Sequence, residues 1–201
     1  MSLIYLVRHG DNDTVGRLIT GRRPGVHLNE SGREQAVQVA ERLRPLHIDH
    51  LASSPMERCL ETAAPLARQT GRAVDVRERL NEIDFGQWSG TDYSELDSRP
   101  GWREFNTFRS GTRIPGGEML AEVQARMVAE VHGLSRDFSG GKVAIFSHGD
   151  PIKTVLAYFL GFPLDNVLRL EVSPGSISIL SLGAETARVL GINTLEGTIP
   201  H

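Results

Sequence analysis

Apolar residues first gather in an unbroken run, Leu3-Ile4-Tyr5-Leu6-Val7, which stops at Arg8-His9-Gly10. That pattern predicts a strand buried on both faces, as in a parallel sheet. Val143-Ala144-Ile145-Phe146, within Lys142–Ser147, repeats it and stops in the same way at His148-Gly149. Between these runs the period changes. Gly32–Pro45 carries Ala36, Val39, Ala40 and Leu43 at helical spacing, with Asn29 or Ser31 as the cap and a capping-box form in Ser31-x-x-Glu34. His50–Ser53 reads as a short strand. Ser54-Pro55-Met56-Glu57 then predicts a helix start, with Ser54 as cap and Pro55 in the first helical position. Leu60, Ala63, Ala64 and Ala67 line one face of that helix, and Gly71 ends it.

Ala73–Leu80 is expected to be a further strand. From Gly116, the residues Leu120, Val123, Met127, Val131 and Leu134 mark a long amphipathic helix. Asp150-Pro151, with Asp150 as cap, opens another helix reaching about Leu160. Leu168–Val172, Ser176–Leu182 and Ala187–Asn193 are read as closing strands. Strands alternating with helices predict an α/β fold. The expected architecture is a three-layer α/β/α sandwich around a mainly parallel sheet. Two stretches lack any period. Asp11–His27 is a long polar loop, and loops of that length tend to serve function. Residues 83–115 hold both tryptophans, Trp88 and Trp102, scattered with Phe85, Tyr93, Phe105 and Phe108 among polar residues. They are expected to form a lid inserted over the carboxyl-terminal edge of the sheet, within one domain spanning 1–201.

Composition narrows the partners. The chain has 201 residues, 39% of them apolar and 23% charged, enough for a self-sufficient core. A net charge of −3 gives no general attraction to nucleic acid or to an anionic membrane, so neither is an expected partner. Cys59 is the single cysteine, so no internal disulfide can form, and no apolar run approaches the length of a membrane span. Cytoplasm is the expected compartment, and a monomer or homodimer the expected state.

The chemistry concentrates at strand ends. Ligands of open α/β sheets bind beyond the carboxyl ends of strands. Parallel neighbours would bring His9 and His148 to one edge, beside Arg8. Arg58 stands in the first turn of its helix, where free N–H groups and the helix dipole favour an anion. Two arginines, two histidines and a helix start suit a phosphate group, because arginine binds it through paired, charge-assisted hydrogen bonds. No metal is required. His47-x-x-His50 has ligand-like spacing but no third ligand nearby. Gly140-Gly141-Lys142 lacks the following Ser or Thr of a nucleotide-binding loop, and Cys59 reads as a packed core residue.

At these residues the chain resembles the histidine phosphatase, or phosphoglycerate-mutase-like, superfamily. The matching segments are Arg8-His9-Gly10, Thr20-Gly21, Leu28-Asn29-Glu30-x-Gly32-x-x-Gln35-Ala36 and Ser53-Ser54-Pro55-x-x-Arg58-x-x-x-Thr62-Ala63. Glu82-x-Asp84-Phe85-Gly86-x-Trp88-x-Gly90 and Ser147-His148-Gly149 complete the series in family order, across residues 1–160. The resemblance implies that His9 attacks phosphorus and becomes a phosphohistidine, with Arg8, Arg58 and His148 holding the phosphoryl oxygens. It implies that Glu82 protonates the leaving oxygen and then activates water. Gly149, Asn12, Thr20 and Gly21 fall at the remaining phosphate-binding positions, and neither metal nor cofactor is implied. The chain departs from the common pattern at Asp11, where Glu or Gln is usual, and at Val15, where Asn is usual. Its first loop is one residue shorter before Thr20-Gly21.

The expected activity is metal-independent hydrolysis of a small phosphate monoester. A cofactor-dependent phosphoglycerate mutase is the first alternative. Against it stand the short chain and a lid with Arg99, Arg103, Arg109 and Arg113 but no adjacent pair; Arg22-Arg23 lies in the first loop instead. A second alternative is a non-catalytic module that binds phosphorylated ligands.

Overall fold

The amino-terminal apolar run becomes an inner strand because helices cover both of its faces. The computed structural model describes residues 1–197 and 199. Its strands are β1 (Ser2–Arg8), β2 (His50–Ser53), β3 (Val74–Val76), β4 (Lys142–Ser147), β5 (Ile177–Leu182) and β6 (Ala187–Thr194). They form one six-stranded sheet in the order β3-β2-β4-β1-β5-β6. β1 to β4 run parallel, while β5 pairs antiparallel with both β1 and β6. The helices are α1 (Glu30–Leu43), α2 (Glu57–Thr70), α3 (Trp102–Thr107), α4 (Leu120–Asp137) and α5 (Gly149–Leu160).

Alternation along the strands sorts the layers, since successive side chains point to opposite faces. Tyr5 and Val7 join a core with Val39 and Leu43 of α1 and Ala63 and Leu66 of α2. Ile4 and Leu6 join the other core, with Val123 and Met127 of α4 and Ile152 and Val155 of α5. The chain is thus α/β, with helices on both faces of a mostly parallel sheet. The 83–115 segment shares the second core through Phe85, Trp88, Phe105 and Ile114, and Trp88 meets Trp102 edge-on at 5.3 Å. Its two ends are tied together, with Gln87 N–H donating to Pro115 O at 2.9 Å and Glu118 N–H donating to Asp84 O at 3.0 Å.

Five local expectations are corrected. Asn29, not Ser31, caps α1, its Oδ1 accepting from Gly32 N–H at 2.8 Å, so Ser31 and Glu34 form no capping box. Gly32 has to lie inside the helix, because it packs against the backbone of Gly10 and Asp11. The N-cap of α2 is Met56 rather than Ser54, whose hydroxyl is committed to His148 Nε2 at 2.8 Å. The strand expected over Ala73–Leu80 shrinks to β3, because its partner β2 ends at Ser53; a 3₁₀ turn over Glu78–Leu80 follows. Leu168–Val172 is not a strand: a 3₁₀ turn occupies Leu164–Arg169, and the Val172 carbonyl accepts from Arg8 Nη1 at 2.6 Å. Asp150 is not the cap of α5, since His148 holds that position and Asp150 lies in the first turn.

Candidate active site

Register brings the two His-Gly ends together. Arg8 of β1 is level with Ser147 of β4, so His9 and His148 leave adjacent strands at the same height. Their rings stand edge to face with centroids 5.3 Å apart. Arg58 reaches the same point from the first turn of α2. Glu82 arrives in the segment that follows the Glu78–Leu80 turn. A cavity of about 370 Å³ opens here, walled at its inner end by Arg8, His9, Arg58, Glu82 and Gly149.

His9 is 4% exposed. Its Nδ1 lies 2.7 Å from the Gly10 carbonyl oxygen, which only accepts, so Nδ1 carries the proton. Nε2 therefore keeps its lone pair in the neutral ring. Burial, with Arg58 and Arg8 nearby, pulls the imidazole well below its usual pKa and keeps it neutral. Arg8 packs over Gly149, where an added Cβ would come within 3.3 Å of Nε. Arg58 is 2% exposed and donates from Nη2 to the Gly21 carbonyl at 2.9 Å. Arg8 Nε and Arg58 Nη1 are buried donors without an acceptor among the described residues.

His148 stands behind this wall rather than in it. It is fully buried, and Arg58 Nη2 approaches its Nδ1 at 3.1 Å. A guanidinium only donates, so Nδ1 accepts and Nε2–H donates to Ser54 Oγ at 2.8 Å. The ring orients Arg58 from behind, with both nitrogens engaged by protein. Burial and Arg58 hold it well below its usual pKa, hence neutral.

Glu82 is the electrostatic exception in the wall. Its Oε1 accepts from Ile83 N–H at 2.9 Å. Burial, reinforced by the negative charge of Asp150, raises its pKa from 4.5 to about 7 against the pull of Arg58. A carboxyl poised at neutrality can give a proton in one step and take one in the next.

The first loop supplies less than its motif implies. Asn12 and Thr20 line the cavity, but Asn12 Oδ1 accepts from Thr14 N–H at 3.0 Å, and Thr20 Oγ1 shares a 2.7 Å hydrogen bond with Thr14 Oγ1. Gly21 contributes its carbonyl to Arg58. The 83–115 segment and α5 wall the outer end with Tyr93, Trp102, Arg109, Asp150 and Lys153. Arg109 was legible only as one of several arginines in that segment. It is 4% exposed, lies 4.6 Å above the Phe105 ring, and faces Asp150 with N and O 3.7 Å apart. The partnership of Ser54 with His148 had no sequence signal at all.

Cys59 is fully buried with its thiol pushed up to about 12, and so is inert. His50 stacks on Phe138 and bonds Asp75 at 3.2 Å, away from the site. Among the described residues no group of three or more His, Cys, Asp or Glu is placed to hold a metal, and no helix is long and apolar enough to cross a membrane.

The family model of the histidine phosphatase superfamily (branch 1) matches residues 4–195. A probable phosphoglycerate mutase GpmB from Salmonella choleraesuis is 34% identical over 182 residues, covering 89% of this chain and 84% of its own. A mycobacterial glucosyl-3-phosphoglycerate phosphatase, solved with vanadate, superposes with a TM-score of 0.84 at 30% identity, covering 95% of this chain and 98% of its own. The alpha-ribazole phosphatase of Shigella flexneri shares the fold, with a TM-score of 0.87 at 22% identity over 99% of this chain and 100% of its own.

Proposed function

The chain belongs to the histidine phosphatase superfamily, and from that membership and the geometry of the site we propose that it hydrolyses phosphate monoesters through a phosphohistidine on His9. One observation carries the reading. A neutral His9 with a free Nε2 sits between two arginines that each hold a buried, unspent donor. A phosphoryl group satisfies both donors and presents its phosphorus to the nitrogen.

The reaction follows in two displacements. His9 Nε2 attacks phosphorus, the ester P–O bond breaks, and the electron pair leaves with the alcohol oxygen. Glu82, protonated below its pKa of about 7, gives that oxygen its proton. The alcohol departs and Glu82 is left as a carboxylate. It then takes a proton from water as the water oxygen attacks the phosphohistidine, which returns His9 and Glu82 to their starting forms. Arg8 and Arg58 match the charge spread over the phosphoryl oxygens in both steps. His148 contributes by orienting Arg58.

The alcohol half of the ester meets the outer wall of Tyr93, Trp102, Arg109, Asp150 and Lys153. Such a wall fits a small polar substrate. The mutase reading draws support from the name of the relative with 34% identity. Phosphatase names attach to the structural neighbour at 30% identity.

The deciding experiment supplies 3-phosphoglycerate and a panel of other phosphate monoesters in the presence of EDTA. Hydrolysis gives free phosphate, little 2-phosphoglycerate, and no stimulation by 2,3-bisphosphoglycerate. Rapid isomerisation dependent on the bisphosphate would establish the mutase instead.

A further inference from the structure

Three side chains outside the cavity close a ring on the peptide that carries Glu82. Arg22 Nε and Arg126 Nη2 both donate to the Glu82 carbonyl oxygen, at 2.9 and 3.0 Å. Glu118 joins the two arginines: its Oε2 accepts from Arg22 Nη2 at 2.8 Å and from Arg126 Nη2 at 3.1 Å, and its Oε1 accepts from Arg126 Nε at 2.9 Å. The same Oε2 accepts from Asp84 N–H at 2.9 Å, two residues beyond Glu82. Arg126 Nη1 adds the carbonyls of Arg79 and Asn81, each at 2.8 Å. Every backbone group named lies within residues 79–84, and the three side chains come from the first loop, the turn between residue 115 and α4, and α4 itself.

The arrangement exceeds what a surface ion pair needs. Exposed ion pairs contribute little, about 0–1 kcal/mol. Here the Glu118 and Arg126 side chains are only 19% and 16% exposed, and Arg126 spends all three of its nitrogens on the ring. Two cations aimed at one carbonyl also need a counter-charge, which Glu118 supplies. Burial pushes the Glu118 carboxyl up, but the bonds from Arg126 and Asp84 outweigh it and keep the group ionised.

We propose that Glu118, Arg22 and Arg126 are positioning residues that fix the Glu82 carboxyl against the phosphoryl site, with Glu118 as the hub that holds both arginines on the Glu82 carbonyl. The inference rests on the assignment of Glu82 as the proton donor. Among the described residues the Glu82 carboxyl accepts no hydrogen bond from another element, only one from its neighbour Ile83. Its direction is therefore set by the backbone it hangs from, and that backbone is set by the ring. Small displacements of a catalytic group are costly, because transfer needs hydrogen-bond distance to the leaving oxygen.

The test is a double-mutant cycle read with two leaving groups. Glu118→Gln and Arg22→Ala, each alone and each combined with Glu82→Gln, are assayed by single-turnover phosphorylation of His9. An alkyl phosphate needs a proton on its leaving oxygen, whereas nitrophenyl phosphate needs little help. Either single variant should slow the alkyl ester by roughly ten- to a hundredfold, below the ~10²–10⁴-fold a general acid contributes. Nitrophenyl phosphate should change less than about threefold, which also reports a folded, competent His9. In the Glu82→Gln background the same substitutions should add almost nothing to the alkyl-ester loss. Equal losses in both backgrounds, or with both esters, would overturn the positioning role. If Glu82→Gln itself shows no leaving-group dependence, the assignment of the acid fails first and takes this inference with it. Arg22, with 34% of its side chain exposed, is the variant least able to disturb folding and decides the case if Glu118→Gln is unstable.

Discussion

The carboxylate of Glu82 faces Nδ1 of His148 across 3.8 Å, yet the two are not an ion pair. Burial and Arg58 keep His148 neutral, so it offers Glu82 no compensating charge. Glu82 is consequently held up at about 7 by burial and by Asp150. In the proposed reaction, phosphorylation of His9 needs the protonated acid. The rate of that step with an alkyl phosphate should therefore fall above about pH 7, approaching tenfold per pH unit. Glu82→Gln should abolish that limb along with most of the rate. Single-turnover pH profiles of both proteins check this; a limb that persists unchanged in the variant would assign it to another group.

The same raised pKa acts on stability. Glu82 binds its proton more tightly folded (about 7) than unfolded (4.5), so the folded state is favoured below pH 4.5 and loses that advantage as pH rises to 7. Above pH 7 the buried carboxylate is a net destabilising element of on the order of 3 kcal/mol, at about 1.4 kcal/mol per pKa unit. Glu82→Gln should thus be more stable than the parent at pH 8, with the gain shrinking toward pH 4. Urea unfolding at the two pH values measures the difference. A variant equally stabilised at both would show that ionisation is not the cause.

A histidine nucleophile leaves a covalent trace. Brief exposure to a radiolabelled substrate, followed by acid or base treatment, should reveal a phosphoprotein that is acid-labile and base-stable. His9→Ala should lose the label and the activity together. Arg58→Ala should retain labelling at a greatly reduced rate, because His9 is intact but the transition-state charge is not matched. Retained turnover in His9→Ala would dismiss the covalent route.

The layers of the fold were legible because burial on both faces leaves an unbroken apolar run, as in β1 and β4, and helices show their own period. The inner site was legible for a related reason: Arg8, His9, Arg58 and His148 follow the ends of those elements, so predicting the elements places the residues. What stayed hidden depends on contacts between distant segments. Ser54 reads as a helix cap until its hydroxyl is seen bound to His148 Nε2. Asp150 reads as a cap until Arg109 appears opposite it. Arg22, Glu118 and Arg126 meet only in three dimensions, and no spacing announces them. The strand expected at Leu168–Val172 failed because a 3₁₀ turn takes the chain through Leu164–Arg169 and the Val172 carbonyl is committed to Arg8 Nη1, a contact that no spacing announces.

Gly10 and Gly32 should tolerate no side chain. A Cβ on Gly10 would stand 2.5 Å from the Gly32 carbonyl oxygen, and one on Gly32 would stand 2.0 Å from the Asp11 carbonyl oxygen. Both obstacles are backbone, which cannot swing aside. The glycine of the His9-Gly10 pair thus serves the close packing of the strand end on α1. Each alanine variant should lose about 1–3 kcal/mol, the usual range for overpacking, and should disturb His9 as well, since Gly10 O orients its ring. Denaturant unfolding together with the rate of His9 phosphorylation tests both halves. Full stability in Gly10→Ala would mean that α1 can move away from the strand.

Asp150 shares the cavity wall with Glu82 and is the other carboxylate that could serve as the acid, so the two need separating. Asp150 faces Arg109 at 3.7 Å, and its negative charge helps to raise the Glu82 pKa. Asp150→Asn should therefore lower that pKa and move the alkaline limb of the phosphorylation rate to lower pH. At pH 7 the alkyl phosphate should slow while nitrophenyl phosphate hardly changes. At pH 5.5, where Glu82 is protonated again, the dependence on leaving-group basicity should match that of the parent protein. Glu82→Gln should steepen the dependence at both pH values, because no proton is available at either. Stability should not suffer from a lost cap, since His148 occupies that position; the weaker interaction of Asp150 with the α5 dipole is about 0.3–1 kcal/mol. The measurement is single-turnover phosphorylation against leaving-group pKa, for both variants at both pH values. A slope steepened at both pH values by Asp150→Asn and left unchanged by Glu82→Gln would transfer the proton donor to Asp150.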